Sequence, residues 1–255
     1  MSLVHGIDPM MKFVLGLVFS CLACGAGPAF AGCNDAPRPG VDWAGCAKKV
    51  IIMRGADLSG AQLSRANLTS TDLRESNLDG ASLDRANLTY TAFGGAKLVG
   101  ASMFKAFGYG ADLSGADLTS AKLGYVELYR ADFSEATLSG VDLKGGSLPR
   151  VNFADARLQG ADLSKSDIIR GNFDGADLTD SSFANAIIAR ASFKGAALGD
   201  SDWTDAYLYK TEIAGTDLSG VKGLEELQLQ DACGDETTIL PPGISTPDSW
   251  PCVDD

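Results

Sequence analysis

Gly55-Ala56-Asp57-Leu58-Ser59-Gly60-Ala61-Gln62-Leu63-Ser64-Arg65-Ala66-Asn67-Leu68-Thr69 carries a single beat: a large apolar residue at every fifth position and a small one two places before it. From Leu58 to Leu218 the beat keeps its register, and only Gly108 lacks a large side chain. A helix needs a period of about 3.6 and a half-buried strand a period of 2, so neither explains it. Regular self-similarity of this kind means a solenoid whose units contact only their neighbours. Glycine recurs two places past the centre, as at Gly60, Gly80, Gly100, Gly140, Gly160 and Gly220, which suits a chain turning tightly in every unit.

A second period lies inside the first. Centres at 58, 78, 98 and onward to 218 are all leucine, whereas Phe93, Phe133, Phe153, Phe173 and Phe193 share another series, interrupted by Leu113. The units thus recur in groups of four, and stacking successive groups at ~4.8 Å brings the phenylalanine rings into packing distance.

Segments such as Gly55-Ala-Asp-Leu-Ser, Arg65-Ala-Asn-Leu-Thr and Gly160-Ala-Asp-Leu-Ser resemble the pentapeptide-repeat family over about two thirds of the chain. The resemblance implies an all-β fold, a right-handed quadrilateral β-helix with four pentapeptides per coil. About eight coils make a rod of roughly 40 Å. The centre and the small residue two before it point inward, and the other three positions face solvent. Gly108 is then either a bulge whose gap Phe104 or Phe107 fills or a notch for a partner.

Lys12, the apolar run Phe13–Ala23 and Ala29-Phe30-Ala31 read as a signal peptide cleaved before Gly32, too short in its apolar part for a membrane span. The expected organisation is a leader over 1–31, an N-terminal cap over 32–52, the β-helix over 53–222, and a C-terminal cap with a Pro-rich tail over 223–255. The mature chain would be periplasmic or secreted. Phe30-Ala-Gly-Cys33 also approaches a lipoprotein signal, so anchorage at Cys33 is the alternative.

Cleavage leaves Cys33, Cys46, Cys233 and Cys252, an even number that suits disulfides in an oxidising compartment. Two lie at each end of the rod, far beyond the ~7 Å that a disulfide spans between Cα atoms. Within one chain this leaves Cys33–Cys46 and Cys233–Cys252, each stapling a cap over an end that would otherwise expose apolar surface.

Nothing in the chain marks catalysis. The one histidine, His5, precedes the apolar run, and no phosphate loop, dinucleotide fingerprint or zinc spacing is present. The aspartates recur one place before the centre, where turn formation accounts for them. No enzyme activity, cofactor or metal is expected.

The formal charge is −12, which argues against nucleic-acid binding through the global field. On the twenty-residue period, however, Arg130, Arg150, Arg170, Arg190 and Lys210 fall on one corner, and Arg65, Arg85, Lys105 and Lys165 on the next. Beside the first ladder lie Phe107, Tyr109, Tyr129, Ile169, Ile187, Tyr207 and Tyr209. Arginine beside tyrosine is the composition of interfaces and their hot spots. Against this, Asp132, Asp167 and Glu212 lie near enough in sequence to neutralise part of the ladder.

The expected function is a non-catalytic interaction rod of the bacterial envelope, docking a protein, an anionic envelope polymer or a second copy of itself. Family resemblance supplies the alternative of a DNA-mimicking gyrase-binding protein that confers quinolone or toxin resistance. An export leader and a basic ladder both speak against it.

Overall fold

A computed structural model describes residues 32–252; the expected leader lies outside the described residues. The fold follows from the conformation of one pentapeptide. In the unit centred on Leu58, the Ala61 N–H donates to Leu58 O at 3.0 Å and closes a β-turn over Leu58–Ala61. Its third residue, Gly60, has φ of 65°, the left-handed geometry of a type II turn. The Asp57 carboxylate accepts the Ser59 N–H at 3.1 Å and braces the turn from outside. The same brace recurs from Asn67 to Thr69, Asp112 to Ser114 and Asp162 to Ser164, so the aspartate one place before each centre is a turn residue.

Four such corners bring the chain back above itself. Residue i bridges residue i + 20 in parallel, from Asp42↔Gln62 to Asp202↔Lys222. Leu58 N–H donates to Asn77 O at 2.7 Å and Asn77 N–H to Ala56 O at 2.9 Å, so each side of a coil is tied to the coils on both sides of it.

The core is a column of centres and small residues buried from Val41 to Ala232. On one side Phe133, Phe153, Phe173 and Phe193 stack with centroids 5.1, 5.1 and 4.7 Å apart, the packing that the twenty-residue period requires. Phe183 meets Phe173 and Phe193 edge-on, and Trp203 closes the column. Where serine or threonine replaces the small alanine, Thr91 donates to Leu68 O and Thr211 to Ile188 O of the coil before, each at 2.8 Å, whereas Thr216 donates to Ile213 O of its own coil at 2.6 Å and Ser181 Oγ is buried without a partner. Burial then leaves few polar atoms unpaired.

Pentapeptide geometry reaches into both stretches read as caps. Trp43, Lys48 and Met53 occupy centre positions, and Ala47↔Asn67 and Ile52↔Asp72 already bridge. Burial pushes the Lys48 ammonium below its ordinary value, against the charge of Asp35, and the group rests 3.7 Å from the centre of the Trp43 ring. At the other end a short helix, α1 (Glu226–Gln230), is inserted into the coil. The ladder resumes beyond it as Glu212↔Cys233 and Asp217↔Ile239, with the spacing stretched past twenty. Gln228 fastens α1 to the last coil by donating to Trp203 O at 3.0 Å and Ala206 O at 2.9 Å. Disulfides join Cys33 to Cys46 and Cys233 to Cys252, with Cα separations of 5.5 and 5.2 Å.

Candidate interaction surface

Two departures from the turn pattern shape one face of the rod. Strands β1 (Phe107–Tyr109) and β2 (Glu127–Tyr129) stay extended and pair in parallel, with Gly108 opposite Leu128. A Cβ on Gly108 would lie 2.8 Å from the Leu88 carbonyl carbon and 2.8 Å from Thr89 N, so the backbone packs where a side chain would stand. Neither Phe104 nor Phe107 fills the missing position. Phe104 and Phe107 are 38% and 44% exposed, so neither plugs the position from within, and Gly108 lines a notch on the outer wall.

The notch is the floor of a groove of about 800 Å³ between two corners of the rod. One rim carries Lys105 and Tyr125; Phe104, outside the groove, meets the Tyr125 ring edge-on at 5.8 Å, and the Lys105 ammonium lies 5.4 and 5.9 Å from the Phe104 and Tyr125 rings. The other rim carries Tyr109 stacked on Tyr129 at 5.5 Å, with Tyr90 edge-on to Tyr109. Arg130 lies 5.8 Å from both ring centres of the stacked pair. Sequence reasoning passed over Tyr90 and Tyr125. The signal was present: a glycine follows Tyr90, Phe104 and Tyr125 by one coil. Tyr90 lies against Gly110, Phe104 against Gly124 and Tyr125 against Gly145, each ring resting where a Cβ would project.

Below the groove the corner continues as Arg150, Arg170, Arg190 and Lys210. Arg130, Arg150, Arg170 and Arg190 are exposed, while Lys210 is half-buried near the C-terminal cap. All five hold left-handed backbone, with φ between 52° and 60°. Along this corner from Val50 to Lys210, Gly110 is the only glycine, although glycine is the residue such geometry favours. The corner from Gly40 to Gly160 is glycine at every rung except Ser120.

The carboxylates expected to neutralise the ladder are engaged elsewhere. Asp132 accepts from Ser134 N at 3.0 Å and from Asn152 Nδ2 at 2.9 Å, Asp167 braces Ile169 N at 3.3 Å, and Glu212 pairs with Lys194 at 2.5 Å. Elsewhere arginines do find partners: Arg74 binds Asp72 through two nitrogens at 2.6 and 2.8 Å, and Arg38 binds Asp35 at 3.2 Å. Among the described residues Arg150 and Arg170 make no such pair.

Tyrosine returns at the lower end. Tyr207 and Tyr209 lie parallel at 6.3 Å, Arg190 is 5.9 Å from the Tyr209 ring, and a second recess of about 530 Å³ opens between this corner and the C-terminal cap. Arg130 lies beside Tyr109 and Tyr129 at one end of this corner and Arg190 beside Tyr209 at the other, with Arg150 and Arg170 between them in sequence.

Among the described residues no cluster of histidine, cysteine, aspartate or glutamate forms a metal site, and no helix is long and apolar enough to cross a membrane. The family model for pentapeptide repeats matches in eight copies over residues 52–69, 66–103, 111–148, 147–185 and 186–222. No curated protein matches the chain.

Among solved structures, HetL of the cyanobacterium Nostoc sp. strain PCC 7120, involved in heterocyst differentiation regulation, is 27% identical over 80% of this chain and 91% of its own, with a TM-score of 0.33. A pentapeptide repeat protein of the Arabidopsis thaliana thylakoid lumen is 35% identical over 38% of this chain and 68% of its own, with a TM-score of 0.26. The plasmid-mediated fluoroquinolone resistance protein QnrB1 is 18% identical over 79% of this chain and 89% of its own, with a TM-score of 0.42. With the repeat model covering most of the residues between the two disulfides, and the twenty-residue ladder running through them, the chain belongs to the pentapeptide-repeat family of right-handed quadrilateral β-helices.

Proposed function

We propose that this protein is a non-catalytic interaction rod, exported to the bacterial envelope, that binds its partner through the stripe from Tyr109 and Tyr129 along Arg130, Arg150, Arg170 and Arg190 to Lys210, Tyr207 and Tyr209. The observation that carries the reading is the ladder itself: exposed guanidinium groups on successive left-handed corners, with the nearby carboxylates occupied by other partners. Left-handed backbone disfavours a side chain by about 1–2 kcal/mol per residue, so arginine is kept at these corners against local conformational preference. The two disulfides fit an oxidising compartment. A filled core and a continuous hydrogen-bonded wall present these groups rigidly, so little conformational entropy is lost on binding.

Site-specific photo-crosslinking from Tyr129 and Ile169 in envelope fractions tests the reading. A discrete adduct that disappears in Arg150→Glu/Arg170→Glu, with thermal unfolding unchanged, is the expected result. Adducts that persist in the double variant would remove the stripe from consideration.

A further inference from the structure

All six tyrosines of the chain lie on one side of the rod. Its wall is the ladder Phe107, Glu127, Ser147, Asp167, Ile187 and Tyr207, and the remaining tyrosines stand on the two corners that bound it. Resting on the reading of the stripe as the interaction face, we infer that this wall docks on an anionic lipid surface, the rod lying flat with its apolar groups among the headgroups.

Between Met53 and Lys222 ten large apolar side chains are exposed, and Val99 alone lies off this wall and its corners. Ile169, Ile187 and Tyr207 project from separate coils, so they suit a fluid layer that needs no pocket shaped to each. Tyrosine belongs at such an interface, its ring among apolar groups and its hydroxyl in water. The charges divide across the same rod. At the left-handed positions one bounding corner carries Lys105 and Lys165 and the other Arg130, Arg150, Arg170 and Arg190, with Asp205 the one carboxylate. Charged residues at the left-handed positions of the two far corners are all carboxylates, Glu75, Glu135 and Asp155 on one and Asp180 on the other. Arg74 and Lys194, beside the first of these far corners, are held by Asp72 and Glu212. Cations flanking an exposed apolar strip are what a protein needs to lie on anionic lipid, charge meeting phosphate while the apolar groups enter below.

Other occupants fit this side less well. A second copy packed wall to wall, in either direction, sets a basic corner against a basic corner, which like charges oppose. A linear polyanion would engage one corner and leave the apolar strip and the other corner unused. Strand addition by a peptide has no place here, because the wall is already a continuous parallel ladder. The formal charge of −12 does not prevent docking: at physiological salt the field of carboxylates on the far corners is screened within ~8 Å, whereas guanidinium groups at the headgroups act in direct contact.

The test is flotation of the secreted, disulfide-bonded protein with phosphatidylglycerol-containing vesicles and with phosphatidylcholine vesicles at one ionic strength. We expect partition onto the anionic vesicles to be about tenfold stronger or more, and to weaken as salt is added. Arg150→Glu/Arg170→Glu should lower it by about a hundredfold and Ile169→Ser/Ile187→Ser by about tenfold, with unfolding midpoints unchanged. Equal partition onto both vesicles, or partition indifferent to the two isoleucines, would overturn the lipid face. Absence of flotation beside a protein adduct crosslinked from Tyr129 would overturn the lipid face alone and leave the stripe as a protein interface. Absence of both would overturn the lipid face and the stripe together.

Discussion

The ring of Tyr125 lies across Gly145, where a Cβ would stand 2.8 Å from the Tyr125 Cε1. The two residues are one coil apart, and the glycine serves twice: it seats the ring and it holds a φ of 64°. Gly145→Ala should therefore displace Tyr125 from its edge contact with Phe104 and destabilise the fold by about 1 kcal/mol through the left-handed corner. Ring proton shifts of Tyr125 and the thermal midpoint report the two effects separately. An unshifted Tyr125 would show that the glycine does not seat the ring.

Restoring the repeat consensus at the one defective centre should harm the protein. Gly108→Leu, and even Gly108→Ala, drives a Cβ into the backbone of Leu88 and Thr89, atoms that cannot rotate aside. We expect a loss of about 1–3 kcal/mol in denaturant unfolding, the usual range for overpacking. A stabilised variant would contradict this account of the notch.

On the arginine corner the expected trade runs the other way. Arg150→Gly relieves a φ of 59° and removes a charge between Arg130 and Arg170, so stability should rise by about 0.5–1 kcal/mol after allowing for the extra entropy of an unfolded glycine. Binding along the stripe should fall in the same variant. Urea midpoints and a binding assay on the same preparation decide it.

The phenylalanine rings form a continuous column in the core. Phe173 touches Phe153, Phe193 and Phe183 at centroid distances of 5.1, 4.7 and 5.6 Å. Phe173→Ala should cost about 3–5 kcal/mol, because stacked coils above and below cannot collapse into the void. Equilibrium unfolding measures it.

Acid should weaken the first coils. The Arg74 guanidinium donating to Asp72 holds that carboxyl well below the usual carboxylate range, with Arg54 adding to the effect. A carboxyl lowered in the folded state contributes its full stability above its unfolded value, near ~3.9, and loses it as the pH falls further. Asp72→Asn should flatten that part of the acid limb and leave neutral stability closer to the acid value. Unfolding midpoints at pH 7 and pH 3 test it.

Legibility followed the repeat. A core position is a local property of a pentapeptide, so Leu58, Phe153 and Ala61 could be assigned inward before any contact was known. The period of twenty then aligned Arg130, Arg150, Arg170 and Arg190, residues distant in sequence, because stacking is strictly periodic. Where the beat was disguised, as at Trp43 and Lys48, the extra coil went unread: a lysine at a centre does not announce burial until a tryptophan ring covers it. The inserted α1 likewise hid the bridges to Cys233 and Ile239 by stretching the interval.

The sequence by itself determined the coil, its four sides and the ladder of like charges, since each depends on spacing along the chain. Tertiary structure alone decided that Asp132, Asp167 and Glu212 turn to other partners, and that Phe104 and Phe107 stay outside. It also decided that Tyr109 and Tyr125 face one groove. Side-chain direction on a wall is set by which neighbours in the coils above and below leave room, and by which competing hydrogen bond each carboxylate reaches first.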